Sequence, residues 1–167
     1  MQFFFTVDQQ IGFDEIPPLW AEWLKEIPCI IAEGRESEEV ESRLFPSPEH
    51  ENEERLSDWK AHVQPDLHQC FLSASSLVSE DVKNLKKIDD YFSLSFPGAH
   101  AGGWLNALNQ ARIILAEIHS LKERDINEVL SVFESPQRTI AILKMDFYAS
   151  IQYDLVEFLE ENMPASS

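Results

Sequence analysis

The stretch from Gly102 to His119 constrains the fold most, because it is the longest unbroken helical pattern in the chain. At 100° per residue, most of its apolar side chains fall on one wide arc. The members of this arc are Trp104, Leu105, Leu108, Ala111, Leu115 and Ile118. A helix with so wide an apolar arc is expected to be mostly buried. We therefore predict that it forms the central helix against which the other elements pack.

A second long helix is predicted from Ser135-Pro136 to Asn162, with the proline suited to the first turn. Its apolar residues recur at intervals of three and four and form one stripe. They are Ile140, Leu143, Phe147, Ile151, Leu155 and Phe158. Asp154 falls inside this stripe, where a carboxylate requires a hydrogen-bond donor.

Arg112 lies at the edge of the apolar face of the central helix, where its guanidinium must reach an anion or solvent. We predict that Arg112 and Asp154 form a structural polar pair that fixes the register of the two helices. Arg138 and the hydroxyls of Tyr148 and Tyr153 are alternative donors to Asp154.

Net charge restricts the possible partners. The chain has 167 residues and a net charge of −17, which argues against phosphate-based binding of nucleic acid and against anionic membranes. The same charge favours solubility and cationic partners. At this length we predict one domain over residues 1–167, with the acidic residues 33–54 as an exposed loop or connector.

The compartment is predicted to be cytoplasmic. No run of eighteen apolar residues is present, and the start Met1–Phe5 lacks the basic region of a signal peptide. The only cysteines are Cys29 and Cys70, which is typical of a reduced setting rather than of a disulfide scaffold.

The first half of the chain predicts helices after a short aromatic segment. Phe3–Val7 is rich in strand formers and is either a short strand or an extended arm. A helix follows from about Glu15–Leu19, and Pro28 should stop or kink it. In the acidic segment, Leu44-Phe45 should pin the chain to the core. One helix or two should follow from Asn52 to about Ser76, since Pro65 should either kink the helix or begin a second one.

The second half predicts a helix that starts at Ser79 and carries Leu85, Ile88 and Phe92, followed by a loop over residues 93–103. A short helix should begin at Asp125, and residues 163–167 should fray. The predicted fold class is therefore all-α, a single-domain bundle of about five to six helices. The short N-terminal strand or arm is an optional addition.

Three tryptophans are candidates for an interaction surface, namely Trp20, Trp23 and Trp59. Indole pairs at helical spacing are more often core than ligand platform. If these residues are exposed instead, they would form an apolar patch of the kind that marks a binding site.

Four features together resemble an uncharacterised family of small, acidic, helical bacterial proteins. They are Arg43-Leu44-Phe45-Pro46, the block Trp104–Ala116, the pair Glu123-Arg124, and the final Tyr148-x-x-Ile151-Gln152-x-x-Leu155-Val156. Their order matches the family from about residue 40 to the end. The family is best known from actinobacteria, where its genes often lie near that of the protease adaptor ClpS. The resemblance implies a helical fold, and the family has no assigned activity. Any link to proteolysis would rest only on the gene neighbourhood.

No catalytic motif is evident. The sequence has no phosphate-binding glycine loop, no Cys/His metal cluster and no Gly-x-Ser-x-Gly turn. The closest approach to a catalytic set is His100 or His119 with a carboxylate. We therefore expect no enzyme, no cofactor and no bound metal, but a non-catalytic interaction or regulatory protein. Its protein partner stays unidentified, and a basic protein is one candidate. The alternatives are an acidic inhibitor or immunity-like protein that masks a cationic partner, and an enzyme whose site forms only in three dimensions.

Overall fold

The computed structural model describes residues 1–6, 8–34, 36–46, 53–121 and 135–162. It shows an α+β fold in which helices pack with a four-stranded antiparallel sheet. The predicted all-α class is therefore wrong. Within the described ranges, no helix is both long enough and apolar enough to cross a membrane.

The sheet has the strand order β1-β2-β4-β3. Its strands are β1 (Gln2–Phe5), β2 (Gln10–Ile16), β3 (Lys86–Ile88) and β4 (Tyr91–Pro97). Strand β2 buries Ile11 and Phe13, which are separated by Gly12. In the same way β4 buries Leu94 and Phe96, with Ser95 between them. Strand β4 therefore follows the two-residue alternation of a sheet that packs one face on a core, whereas in β2 Gly12 is buried as well.

Residues 85–97 are the place where the helical prediction fails. The predicted helix from Ser79 through Phe92 does not form, because the chain leaves its helix at Asp81 and enters β3 and β4. Ile88 and Phe92 are four apart, which fits a helix. They also flank the turn of a hairpin: Ile88 directly precedes the turn residues Asp89-Asp90, and Phe92 lies two residues after them. The alternation of Phe92, Leu94 and Phe96 is the sequence pattern that favours a strand over a helix here.

The first helix, α1, spans Pro18–Gly34 and continues past Pro28 instead of stopping there. The acidic segment contains a helix of its own, α2 (Glu38–Leu44), whose N-terminus is capped by Ser37. Leu44 and Phe45 are both buried, as expected for the residues that pin this segment.

The next helical stretch has three parts that follow one another without a gap. They are α3 (Glu53–Asp58), a π-helical turn (Trp59–Val63) and α4 (Gln64–Asp81). The predicted irregularity at Pro65 takes the form of this π-turn, which widens the helix immediately before the proline. π-Turns of this kind often provide room in a helix where the regular hydrogen-bond ladder is interrupted.

The predicted central helix is confirmed as α5 (Ala101–Ile118), which contacts α1, α2, α4 and the final helix. The final helix, α6 (Pro136–Asn162), has the predicted bounds. Its predicted core stripe is only partly buried, since Ile140 and Leu143 are exposed. The predicted short helix after Asp125 and the predicted frayed tail at 163–167 lie outside the described residues.

Candidate functional site

The carboxylate of Asp81, the last residue of α4, is buried and has two side-chain partners at or just before the start of α5. Asp81 is 4% exposed, and its Oδ2 accepts a 2.8 Å hydrogen bond from Nε1 of Trp104. Nδ1 of His100 lies 2.9 Å from the same oxygen and 3.1 Å from Oδ1. The ring of Phe96 stacks on Trp104 with centroids 4.7 Å apart. These contacts join the end of α4, the end of β4 and the start of α5.

His100 is one of the two histidines that sequence reasoning paired with a carboxylate, and the structure identifies that carboxylate as Asp81. An imidazole oriented by a carboxylate can perform acid–base chemistry. In the described part of the chain, however, the side chain of His100 has no hydrogen-bond partner other than Asp81. His100 and Trp104 are four residues apart and so lie on one side of the helical path, which is the sequence signal for a shared partner.

Arg112 does not pair with Asp154, and this prediction needs correction. Nη1 of Arg112 donates a 2.6 Å hydrogen bond to Oε1 of Gln152, and Nε2 of Gln152 donates to the Leu105 carbonyl oxygen at 3.2 Å. Residues 152 and 154 are two positions apart, or about 200° around a helix, so they face opposite sides. The register of α5 against α6 is therefore fixed by an amide, and Asp154 lies beside β1 instead.

A pocket of about 450 Å³ lies where α2, α5 and α6 meet. Its lining consists of Ser42, Arg43, Pro46, Asn109, Arg112, Ile113, Ala116 and Met145. It thus contains two guanidinium groups in a chain whose net charge is −17. The Nε of Arg43 lies 3.4 Å from Oε2 of Glu117, and its side chain is 67% exposed. Among the described residues, Nε of Arg112 is buried without a hydrogen-bond partner.

Further positive charge lies near this end of α5 and α6. The pKa of His119 is lowered from its ordinary value, first by burial and then by the positive charges of Lys144 and Arg138. Lys144 itself pairs with Glu26 of α1. The lining of the pocket itself contains the two arginines and no carboxylate.

Two segments that carried the family resemblance converge on this pocket. Arg43 and Pro46 come from the first motif, and Asn109 and Arg112 come from the central block. Gln152 of the last motif holds Arg112 from α6. The pair Glu123-Arg124 lies outside the described residues. Sequence reasoning treated Arg112 as part of a structural pair and missed its proximity to Arg43, because no local pattern joins positions 69 residues apart.

The three candidate tryptophans do not form one exposed patch. Trp23 is 6% exposed and belongs to the core, with its ring against Phe147. Trp20 is half-buried against the same phenylalanine, with centroids 4.8 Å apart. Trp59 is half-buried on the π-turn. The predicted interaction surface therefore loses Trp23, whose side chain packs inside the molecule.

Metal ligation finds no support in the parts of the chain that the structure covers, where no group of three or more His, Cys, Asp or Glu side chains could hold an ion. The fold and the pocket define a small α+β domain with a two-arginine pocket on its helical side. The chain belongs to the family described as "Domain of unknown function (DUF2017)", whose model matches residues 16–159. No curated protein and no solved structure matches it.

Proposed function

We propose that this protein is a non-catalytic interaction or regulatory protein, and that the pocket of Arg43 and Arg112 receives a carboxylate of its protein partner. The observation that carries the proposal is the buried Nε of Arg112, which has no hydrogen-bond partner among the described residues. A buried donor without an acceptor costs free energy. A carboxylate that reached this N–H, by displacing the atoms that now cover it, would remove that cost.

The chemistry of the pocket suits this ligand. A guanidinium presents donors in a rigid fork that matches a carboxylate. Gln152 already occupies Nη1 of Arg112 and holds the group in place, so less side-chain entropy is lost on binding. Arg43 is exposed enough to close over the ligand. The net charge of −17 still opposes a nucleic acid as the source of the anion.

The absence of catalysis is part of the proposal. Asp81 and His100 resemble an acid–base pair, but the same carboxylate oxygen also binds the indole of Trp104. This supports a structural role for the pair, at the junction of α4 and α5. A cytoplasmic setting is also part of the proposal. It is supported by Cys29 and Cys70, which are both exposed and not joined in a disulfide.

Nuclear magnetic resonance of the arginine Nε–Hε groups tests the pocket directly. We expect the Arg112 signal to shift saturably when a short peptide of aspartate and glutamate is added. Arg43→Gln, at an exposed position, should weaken this response. Lys83→Gln makes the same charge change in the short turn that follows α4, where Lys83 pairs with Glu80, and should leave the response intact. An Arg112 signal that stays in place, or that drifts linearly as with added salt, would contradict the proposal.

A further inference from the structure

Strand β1 leaves one edge of the sheet open. Thr6 N donates to the Gln10 carbonyl oxygen at 2.8 Å, so Thr6 and Gln10 form a hydrogen-bonded pair. Hydrogen-bonded and non-hydrogen-bonded pairs alternate along an antiparallel ladder. In the register of β1 and β2, Phe3 and Phe5 therefore occupy non-hydrogen-bonded positions, and their N–H and C=O groups point away from β2. Within the described ranges, no strand pairs with this outer edge.

A groove of about 510 Å³ runs beside this edge. One side is formed by the three phenylalanines of β1, and the other by the last turns of α6. The lining residues are Phe3, Phe4, Phe5, Asp154, Glu157, Phe158 and Glu161. Phe158 holds the helix against the strand, with its ring centroid 6.1 Å from Phe3 and 5.1 Å from Phe5. Phe5 is nevertheless 48% exposed.

The helical side of the groove carries negative charge, and the part of α6 that follows Lys144 contains no basic residue. Residues 145–162 contain five carboxylates and no lysine or arginine. Burial, and then the charge of Glu157, raise the pKa of Asp154 above its ordinary value. The carbonyl end of the helix dipole adds to this negative potential. A cationic group in the groove would relieve the repulsion.

We propose that this groove binds an extended, lysine- or arginine-bearing segment of a partner protein, which adds a fifth strand to the sheet along β1. In this mode of recognition, the backbone hydrogen bonds to Phe3 and Phe5 provide affinity. Every second side chain of the bound segment contacts the surface beside the strand edge, and these contacts provide specificity. Here that surface consists of Asp154, Glu157 and Glu161, which select basic residues. A second copy of the chain would bring an equally acidic groove, so its charge does not fit. This binding surface is separate from the arginine pocket and does not depend on it.

Amide hydrogen exchange with a basic peptide tests the added strand. The probe is a synthetic peptide of about nine residues that alternates lysine with threonine, long enough to span β1. We expect the amides of Phe3 and Phe5 to exchange more slowly when the peptide is bound. The amide of Phe4 is an internal control, since the alternation already directs it towards Gly12. A peptide with glutamate in place of lysine should give no protection.

Charge variants separate strand addition from general attraction to an acidic protein. The double variant Asp154→Asn/Glu157→Gln should weaken peptide binding about tenfold, as expected for the loss of two partly exposed ion pairs. The matched double variant Glu36→Gln/Glu38→Gln makes the same charge change at exposed positions of the acidic segment and should retain the affinity. Both variants remove charge from surface positions and should fold.

Three results would overturn the proposal. The first is equal loss of affinity in the two double variants. The second is peptide binding without added protection of Phe3 and Phe5. The third is protection of both amides in the free protein together with a dimeric mass by light scattering, since the edge would then be occupied by a second copy.

Discussion

Trp104 and Asp81 are joined by a 2.8 Å hydrogen bond between the indole Nε1 and the carboxylate Oδ2, although the residues are 23 positions apart. Trp104 is fully buried and stacks on Phe96 of the sheet. Through this one residue, the central helix contacts both the end of α4 and the inner face of β4. The contact therefore fixes how the helical layer meets the sheet, which is the part of the fold that an all-α interpretation omits.

Replacement of Asp81 by alanine should destabilise the protein strongly. The change leaves the buried indole N–H of Trp104 without its acceptor and removes the partner of His100. Unsatisfied buried groups cost about 1–3 kcal/mol each. Urea unfolding should show a correspondingly lower midpoint. Asp81→Asn should lose less, because its amide oxygen can still accept from the indole.

The control for this change is Asp146→Ala, which removes an exposed carboxylate from the middle of α6. Surface changes of this kind usually stay within about 0.5 kcal/mol. A midpoint for Asp81→Ala equal to that of wild type would show that the three side chains do not hold the junction together.

Gly34 should not tolerate alanine. A Cβ at this position would lie 2.5 Å from Cγ2 of Ile114 on α5, where the end of α1 packs on the central helix. Overpacking of this kind costs about 1–3 kcal/mol. The matched change Gly102→Ala has no neighbour within 4 Å and lies at an exposed helical position, so it should instead stabilise by about 0.5–1 kcal/mol.

A double variant checks the cause of the Gly34 effect. If Ile114 is the obstacle, Gly34→Ala should cost much less in an Ile114→Ala background, where the space is open. Thermal or urea unfolding of the four proteins in this cycle measures the coupling. Additive losses would mean that the two side chains do not compete for the same space.

Helices α5 and α6 could be predicted from the sequence, because their apolar residues recur over many turns. The short strands could not be separated from helices in the same way. Ile88 and Phe92 fit a four-residue period, and the competing alternation of Phe92, Leu94 and Phe96 extends over only one strand. Tertiary pairing decides such cases, since β4 becomes a strand by pairing with β2, which is more than 75 positions away.

The residues of the arginine pocket could be singled out one by one from the sequence, but their proximity in the fold could not be predicted. The prediction correctly placed Arg112 at the edge of the apolar face of α5 but assigned it to the wrong partner. Whether Arg112 meets Gln152 or Asp154 depends on how α6 is rotated about its own axis. A broad apolar stripe does not define this rotation angle closely. The approach of Arg43 depends on where the chain after α1 turns back, and no periodicity in the sequence determines that.

Asp154→Asn should stabilise the protein at neutral pH. The folded state raises the pKa of Asp154 through burial and the charge of Glu157, so folding favours the protonated carboxyl. The stability linked to this group is fully present below its unfolded pKa and is lost as pH rises through the raised folded pKa. Asparagine removes that loss. Because the carboxyl is largely solvated, the gain should stay below about 1 kcal/mol.

The comparison of unfolding at two pH values isolates this effect. Near pH 3 the carboxyl is protonated in both states, so Asp154→Asn and wild type should have similar stability. Near pH 7 the variant should be more stable. An advantage that is the same at both pH values would assign the gain to packing or helix propensity rather than to ionisation.

The turn between β3 and β4 holds Asp89 in a left-handed backbone conformation, with φ of 53°. Asp90 has no such φ, so only the first central residue of this two-residue turn is strained. A two-residue hairpin with positive φ at that position favours glycine there. Asp89→Gly should therefore raise the thermal midpoint, with a gain of up to about 1 kcal/mol, as glycine removes the steric penalty of the side chain.

Asp90→Gly makes the same charge change one residue later and should destabilise, because glycine there adds only entropy to the unfolded chain. Equal shifts in the two variants would attribute the effect to the lost negative charge, since both carboxylates lie in the same acidic cleft with Asp14 and Glu15.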